Sequence, residues 1–271
     1  MNQDPPAGWI GGYAQITGLR HRRSGHGCDD AGRCCATPGG AVFMVIADGV
    51  GSADLSSTGS ALAVEAASRF LAGALCTREK ELAEDPHRFA AVARAAVRET
   101  CWAIRDFAAY ENLDPSRLST TLGLAMVSGN SGVTAQVGDG LVVGNYDTGD
   151  TSDGRYAWID PAPVYDIPTM TDALPGAGEA AIRVTVLEGL TEIFLSTDGL
   201  RGKLTHPSTG RVNIPLVTQL SRDCRARTSE DWLHKQLQQW ADQLGDDTTL
   251  AMAVNPDPSG WTTGNRGDHR G

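Results

Sequence analysis

The sequence predicts an α+β fold in which antiparallel sheets are covered by helices. Ala41-Val-Phe-Met-Val-Ile-Ala47 is a continuous apolar run, rich in β-branched and aromatic residues and flanked by glycine, which is the pattern of a strand buried on both faces. From Ser119 onward the apolar spacing changes from helical to strand-like. The predicted order is strands, two helices, many strands, a helix and a strand. Such segregation favours α+β over an alternating βαβ parallel sheet.

Residues 1–8 read as a loose leader, 9–254 as the folded domain, and 255–271, with their Pro, Gly, Asp and Arg, as a disordered tail. Trp9 to Thr17 reads as the first strand. Gly18 to Ala31 is a polar loop that carries Arg20, His21, Arg22, Arg23 and His26 and runs through Asp29-Asp30. It reads either as a solvated turn or as an anion-binding loop. After the 41–47 strand, Ser56-Ser57-Thr58 offers N-cap hydroxyls to an alanine-rich helix from about Gly59 to Leu75. Pro86 suits the first turn of a second helix reaching Tyr110, with Phe89, Val92, Ala96, Trp102, Ile104 and Phe107 turned inward.

Leu118 to Val127, Gly132 to Val137 and Leu141 to Tyr146 read as a three-strand meander, with Gly138-Asp139-Gly140 as its second hairpin turn. Arg155 to Ile159 adds a short strand. Residues 160–180 are rich in proline and turn formers, a length typical of a functional flap or a disordered loop. Ala181 to Leu187 and Glu192 to Thr197 read as another hairpin. Thr228-Ser-Glu-Asp231 resembles a capping box opening a helix that turns Leu233, Leu237, Trp240 and Leu244 inward. Thr248 to Val254 is the last strand.

Composition narrows the function. The net charge is 23 − 33 = −10, which argues against a nucleic-acid or anionic-membrane partner and makes the basic loop at 20–26 a local exception. No run approaches the roughly 18 apolar residues of a membrane span, and the N-terminus lacks a signal-peptide pattern. A cytoplasmic location is expected. The six cysteines form no C-x-x-C pair and are expected to be reduced thiols. Adjacent Cys34-Cys35, taken with Cys28, His21 and His26, would make a poor tetrahedral zinc site.

Carboxylates recur where apolar strands meet glycine: Asp48-Gly49, Asp139 between Gly138 and Gly140, Asp198-Gly199 and Gly245-Asp246-Asp247. Any one Asp-Gly is a common turn, but four abutting strongly apolar strands suggest a shared site. Convergence of Asp48, Asp198 and Asp246 would bring mutual repulsion and a desolvation cost that divalent cations relieve. All-oxygen ligation points to Mg²⁺ or Mn²⁺. Two such ions would clamp a phosphoryl group for in-line attack, with a nearby arginine or histidine holding the phosphate.

Six ordered motifs carry a resemblance: Gly18-x-x-His21-x-x-x-Gly25-x-x-Cys28-Asp-Asp-Ala31, Ala47-Asp-Gly-Val-Gly-Ser52, Ser119-Thr-Thr-Leu-Gly123, Val137-Gly-Asp-Gly140, Leu195-Ser-Thr-Asp-Gly-Leu200 and Gly245-Asp-Asp-Thr-Thr249. Spanning about residues 10–254, the chain resembles a compact bacterial member of the metal-dependent protein phosphatases (PPM, type 2C). The resemblance implies a four-layer αββα sandwich of two mainly antiparallel sheets flanked by helices. It also implies a dinuclear Mn²⁺ or Mg²⁺ centre and hydrolysis of phosphoserine or phosphothreonine by a metal-bridging hydroxide. The partner would be a phosphorylated protein, with the enzyme opposing a serine/threonine kinase.

By the same resemblance Asp48 bridges the metals, the Gly49 carbonyl binds the second, and Asp198 and Asp246 hold the first. Asp29 and Asp30 act on the second, and Asp139 on a weak third. The arginine that many members place five residues before Asp30 is Gly25 here, which leaves phosphate binding to His21, Arg20, Arg22 or Arg23. Val50 replaces the histidine that follows Asp-Gly in animal members, and Gly202 stands where a second acidic residue follows Asp198. A phosphatase-like binding module and a phosphatase of small metabolites are the alternatives.

Overall fold

The computed structural model describes residues 8–146, 156–160, 171–226 and 231–256. One sheet is built from β1 (Ile10–Ile16), β6 (Leu141–Tyr146), β7 (Tyr156–Trp158), β9 (Leu190–Ser196) and β10 (Thr248–Val254), in the order β1-β10-β9-β6-β7. The other contains β2 (Ala31–Ala36), β3 (Val42–Ala47), β4 (Leu122–Ser128), β5 (Ser131–Val137) and β8 (Arg183–Glu188), in the order β2-β3-β4-β5-β8. Every neighbouring pair is antiparallel.

Three apolar layers explain why the strands read as unbroken hydrophobic runs. Met44, Ile46, Ala125 and Val127 of one sheet meet Val142, Ile193, Leu195 and Ala251 of the other in the central layer. Alternate residues Phe43, Val45, Leu124 and Met126 point outward, onto α2 (Ser56–Glu84) and α3 (Pro86–Tyr110). On the opposite flank, Val143, Phe194, Leu250 and Met252 pack under α5 (Ile214–Ala226) and α6 (Trp232–Gln238). The result is the αββα sandwich. Among the described residues no helix is long and apolar enough to cross a membrane, and no disulfide joins the cysteines.

Several sequence expectations are corrected. The polar loop contains a short helix, α1 (Leu19–Ser24), stopped by Gly25 at φ 71°, and its last residue, Ala31, opens β2. α2 is longer than expected and kinks at Arg78. Its N-cap is Leu55, with no side-chain cap, and the Ser56 hydroxyl donates to the Asp29 carboxylate instead. Trp102 faces outward, 56% exposed. The meander ends after two strands: Gly138, at φ 103°, turns the chain out of one sheet and into the other, so β5 and β6 are not a hairpin. Gly189, at φ 69°, does the same between β8 and β9. Asn255, assigned to the tail, is buried and bonds Thr191 and Gly129 through its amides.

Most of the proposed capping box, the leader up to residue 7 and the tail from residue 257 lie outside the described residues, as does 161–170 of the expected flap. Beyond it, Leu174 is buried and pairs its backbone with Thr120 in both directions.

Candidate metal and phosphate site

Register places the carboxylates at one end of the sandwich. In one sheet Ile16 pairs Thr248, and Ser196 pairs both Leu250 and Leu141, so the ends of β1 and β9 lie beside the starts of β10 and β6. In the other, Ala31 pairs Ala47 and Leu122 pairs Val137, which aligns the ends of β3 and β5 with the starts of β2 and β4. The two ends are tied by Thr197, whose hydroxyl donates to Asp30 Oδ2 at 2.7 Å. Asp30, Asp48, Asp139, Asp198 and Asp246 therefore arrive from separate connections at one place.

A cleft of about 660 Å³ opens there. Its walls include Arg20, His21, Asp29, Asp48, Asp139, Asp198 and Asp246, with Gly49 to Ser52 forming one side. Gly49 is required by packing, since a Cβ there would lie 2.8 Å from both Asp29 O and Ser56 Cβ. The Asp48 backbone is held by Thr121, whose hydroxyl accepts from Asp48 N at 3.0 Å and whose N–H donates to Asp48 O at 2.8 Å.

The electrostatics are those of crowded, desolvated carboxylates. Burial pushes the Asp48 carboxyl well above the usual range, and the neighbouring charges of Asp30 and Asp198 push it further. Burial also raises Asp30, against the opposing effect of the Thr197 hydroxyl. Asp198 is raised by burial and then by Asp139 and Asp246. Asp30 Oδ1 is buried with no hydrogen-bond partner. Among the described residues no three His, Cys, Asp or Glu side chains already form a ligand set. Asp246 Oδ2 is paired with the Arg20 guanidinium.

The basic candidates separate by position. Arg20 and His21 line the cleft. Arg22 is turned away, donating to Ala241 O at 2.6 Å and Asp242 at 3.2 Å, and Arg23 is exposed and does not line the cleft. His21 Nδ1 lies 2.9 Å from Asp247 Oδ2. Burial lowers the His21 pKa, but the Asp247 hydrogen bond and the charges of Asp247, Asp29 and Asp246 outweigh it and hold the imidazole above its usual value. Asp29 accepts from Ser56 and contacts His26 Nε2, both at 3.1 Å.

Thr121, Thr197, Ser56 and Asp247 were not assigned to the site by sequence reasoning: Ser56 was read only as a helix cap, and the other three fall within the quoted motifs without a role. Asp247 is the main omission. Its only local signal is the Asp246-Asp247 doublet, which does not say which carboxylate bonds His21.

Residues 17–238 match the protein-family model described as protein phosphatase 2C. The chain belongs to the protein phosphatase 2C family. Comparison with curated proteins finds no match. Solved structures give the type 2C fold a second footing. The chain is similar to the serine/threonine phosphatase Stp1 from Staphylococcus aureus, with 16% identity, TM-score 0.59 and coverage of 94% of this chain and 98% of that one. It is also similar to PppA, a regulatory component of T6SS in Pseudomonas aeruginosa, at 17% identity and TM-score 0.61, covering 92% and 98%. A third is the catalytic domain of the serine/threonine protein phosphatase PstP, in complex with two manganese ions, at 19% identity and TM-score 0.59, covering 91% and 98%. At these identities the likeness bears on the type 2C fold alone.

Proposed function

We propose that this chain is a metal-dependent phosphoprotein phosphatase acting on phosphoserine and phosphothreonine. The observation that carries the reading is the convergence of Asp29, Asp48, Asp139, Asp198, Asp246 and Asp247 on one cleft, with Asp30 Oδ1 nearby, buried and unpartnered. A buried acceptor beside carboxylates held far from their ordinary ionisation suits a cation. The all-oxygen donor set fits Mn²⁺ or Mg²⁺. Asp48, the Gly49 carbonyl, Asp198 and Asp246 would hold two ions, Asp29 and Asp30 would support the second, and Asp139 would serve a weak third. When bound, such ions supply Lewis acidity and an activated water for phosphoryl transfer.

The chain's own groups do the rest. His21, with Arg20 beside it, presents positive charge to a phosphate in an otherwise acidic cleft. Cation binding at Asp246 would compete with its pairing to Arg20, and a guanidinium released from it would lie at the cleft for the phosphate. Thr121 and Thr197 keep Asp48 and Asp30 in place. The substrate would be a phosphorylated protein, with the enzyme opposing a serine/threonine kinase. The Arg20–Asp246 pair and the glycine at position 25 also motivate a second reading, a phosphatase-like module that binds without turnover.

The test is release of phosphate from p-nitrophenyl phosphate and from a phosphothreonine peptide, with Mn²⁺, with EDTA, and in Asp198→Ala. Activity that requires Mn²⁺ and falls at least about a hundredfold in the variant is expected. Preference for the peptide separates protein from metabolite substrates. No turnover of either substrate by folded, Mn²⁺-loaded protein would favour the binding module.

A further inference from the structure

We propose that Asp247 is a positioning residue that orients His21 for the substrate phosphate and fixes the connection carrying it. The two consecutive carboxylates at the start of β10 differ in setting. Asp246 has a side chain 45% exposed at the cleft, whereas that of Asp247 is 3% exposed. Among the described residues, every polar contact of the Asp247 carboxylate runs to the β1–β2 connection. Oδ1 accepts from Gly18 N at 2.7 Å, and Oδ2 accepts from Asp29 N at 2.5 Å and meets His21 Nδ1 at 2.9 Å. One side chain thus fastens both ends of the connection and the imidazole between them.

The α1 part of the connection is held by polar ties. α1 has no buried residue, so apolar packing does not set its orientation. Its other ties are backbone bonds from Leu19 and Arg20 to Leu244 and Gly245, the Arg20–Asp246 pair and the Arg22 bonds to Ala241 O and Asp242. Asp29 and Asp30 at the far end of the connection are also held by Gly49, Ser56, Ser60 and Thr197. With Nδ1 held by the carboxylate, Nε2 is the nitrogen left for a ligand, and among the described residues it has no hydrogen-bond partner. The His26 ring packs edge-on at 4.8 Å and limits rotation of the His21 ring. The substrate half of this inference rests on the phosphatase reading, and the geometric half does not.

The experiment uses the full-length chain and Asp247→Asn, which keeps an acceptor for Gly18 N but replaces the Oδ2 acceptor shared by His21 and Asp29. In metal-free wild type, proton NMR should show a downfield, slowly exchanging Nδ1 proton for His21, assigned by its loss in His21→Gln, and Asp247→Asn should lose it. With Mn²⁺ added, Asp247→Asn should raise KM for p-nitrophenyl phosphate and the inhibition constant of inorganic phosphate by about tenfold or more, with a smaller change in kcat. Adding Asp247→Asn to His21→Gln should cost little beyond His21→Gln alone. A downfield signal that survives in Asp247→Asn, an unchanged KM, or fully additive losses would overturn the proposal. If wild type turns over neither substrate, the phosphatase reading fails while the NMR comparison still decides whether Asp247 holds His21.

Discussion

Single residues carry the charge balance of this molecule, and Glu192 shows how. It sits on central strand β9 and is 4% exposed. It accepts from Tyr156 Oη at 2.5 Å, Ser221 Oγ at 2.7 Å and Arg225 Nη2 at 2.5 Å. Burial alone would raise its pKa, but these donors outweigh burial and hold the carboxyl below the usual glutamate value. Because the folded value is depressed, the stabilisation is complete above the unfolded pKa of about 4.3 and is lost as the pH falls through the folded one. Glu192→Gln should therefore cost about 1.5–3 kcal/mol in urea unfolding at pH 7, and the gap to wild type should narrow below about pH 4. A gap independent of pH would refute this account. Charge position also separates neighbours on α1. Arg22→Ala should leave KM for p-nitrophenyl phosphate within about twofold, whereas His21→Ala should raise it about tenfold or more, as steady-state kinetics will show. The reverse ranking would count against His21 as the phosphate contact.

At the scale of elements, close approaches decide what a position tolerates. Gly59 on α2 lies against the 3₁₀ turn Pro115–Leu118, and a Cβ there would fall 2.1 Å from Leu118 O. That turn leads into Ser119 to Thr121, whose atoms hold Val50 and Asp48. Alanine in a helix gains about 1 kcal/mol over glycine, but a clash with a backbone carbonyl cannot be relieved by a rotamer change. Overpacking costs about 1–3 kcal/mol. Gly59→Ala should lower the thermal midpoint by several degrees, at about 2–4 °C per kcal/mol, and a rise in the midpoint would show that helix propensity wins. Element identity was largely legible in the sequence: β1, β3, β5, β6, β10 and α3 stand close to where periodicity put them. The short helix α1 was not, because its six residues have no apolar face for periodicity to register. β2 escaped for a related reason: Gly32, Arg33 and the two cysteines interrupt any apolar run.

For the whole molecule, the strands of the two sheets interleave along the chain. β1, β6, β7, β9 and β10 form one sheet, and β2 to β5 with β8 form the other. No contiguous half of the sequence contains a complete sheet. β10, last in sequence, lies between β1 and β9 and buries all seven of its residues. A chain stopped after Asp247 should therefore show no cooperative urea transition, and a sharp transition in that truncation would contradict the topology. The sequence by itself determined that carboxylates would stand at the mouths of apolar strands, because burial on both faces and a polar glycine-flanked end are local patterns. Only the tertiary structure decided which sheet each strand joins. Gly138 and Gly189 are as compatible with a hairpin as with a crossover, and the choice depends on which apolar faces the distant strands offer. It also decided that Asp246 is exposed at the cleft while Asp247, at its buried edge, turns back to His21, since neighbouring side chains at a strand start diverge in directions set by what packs on either side.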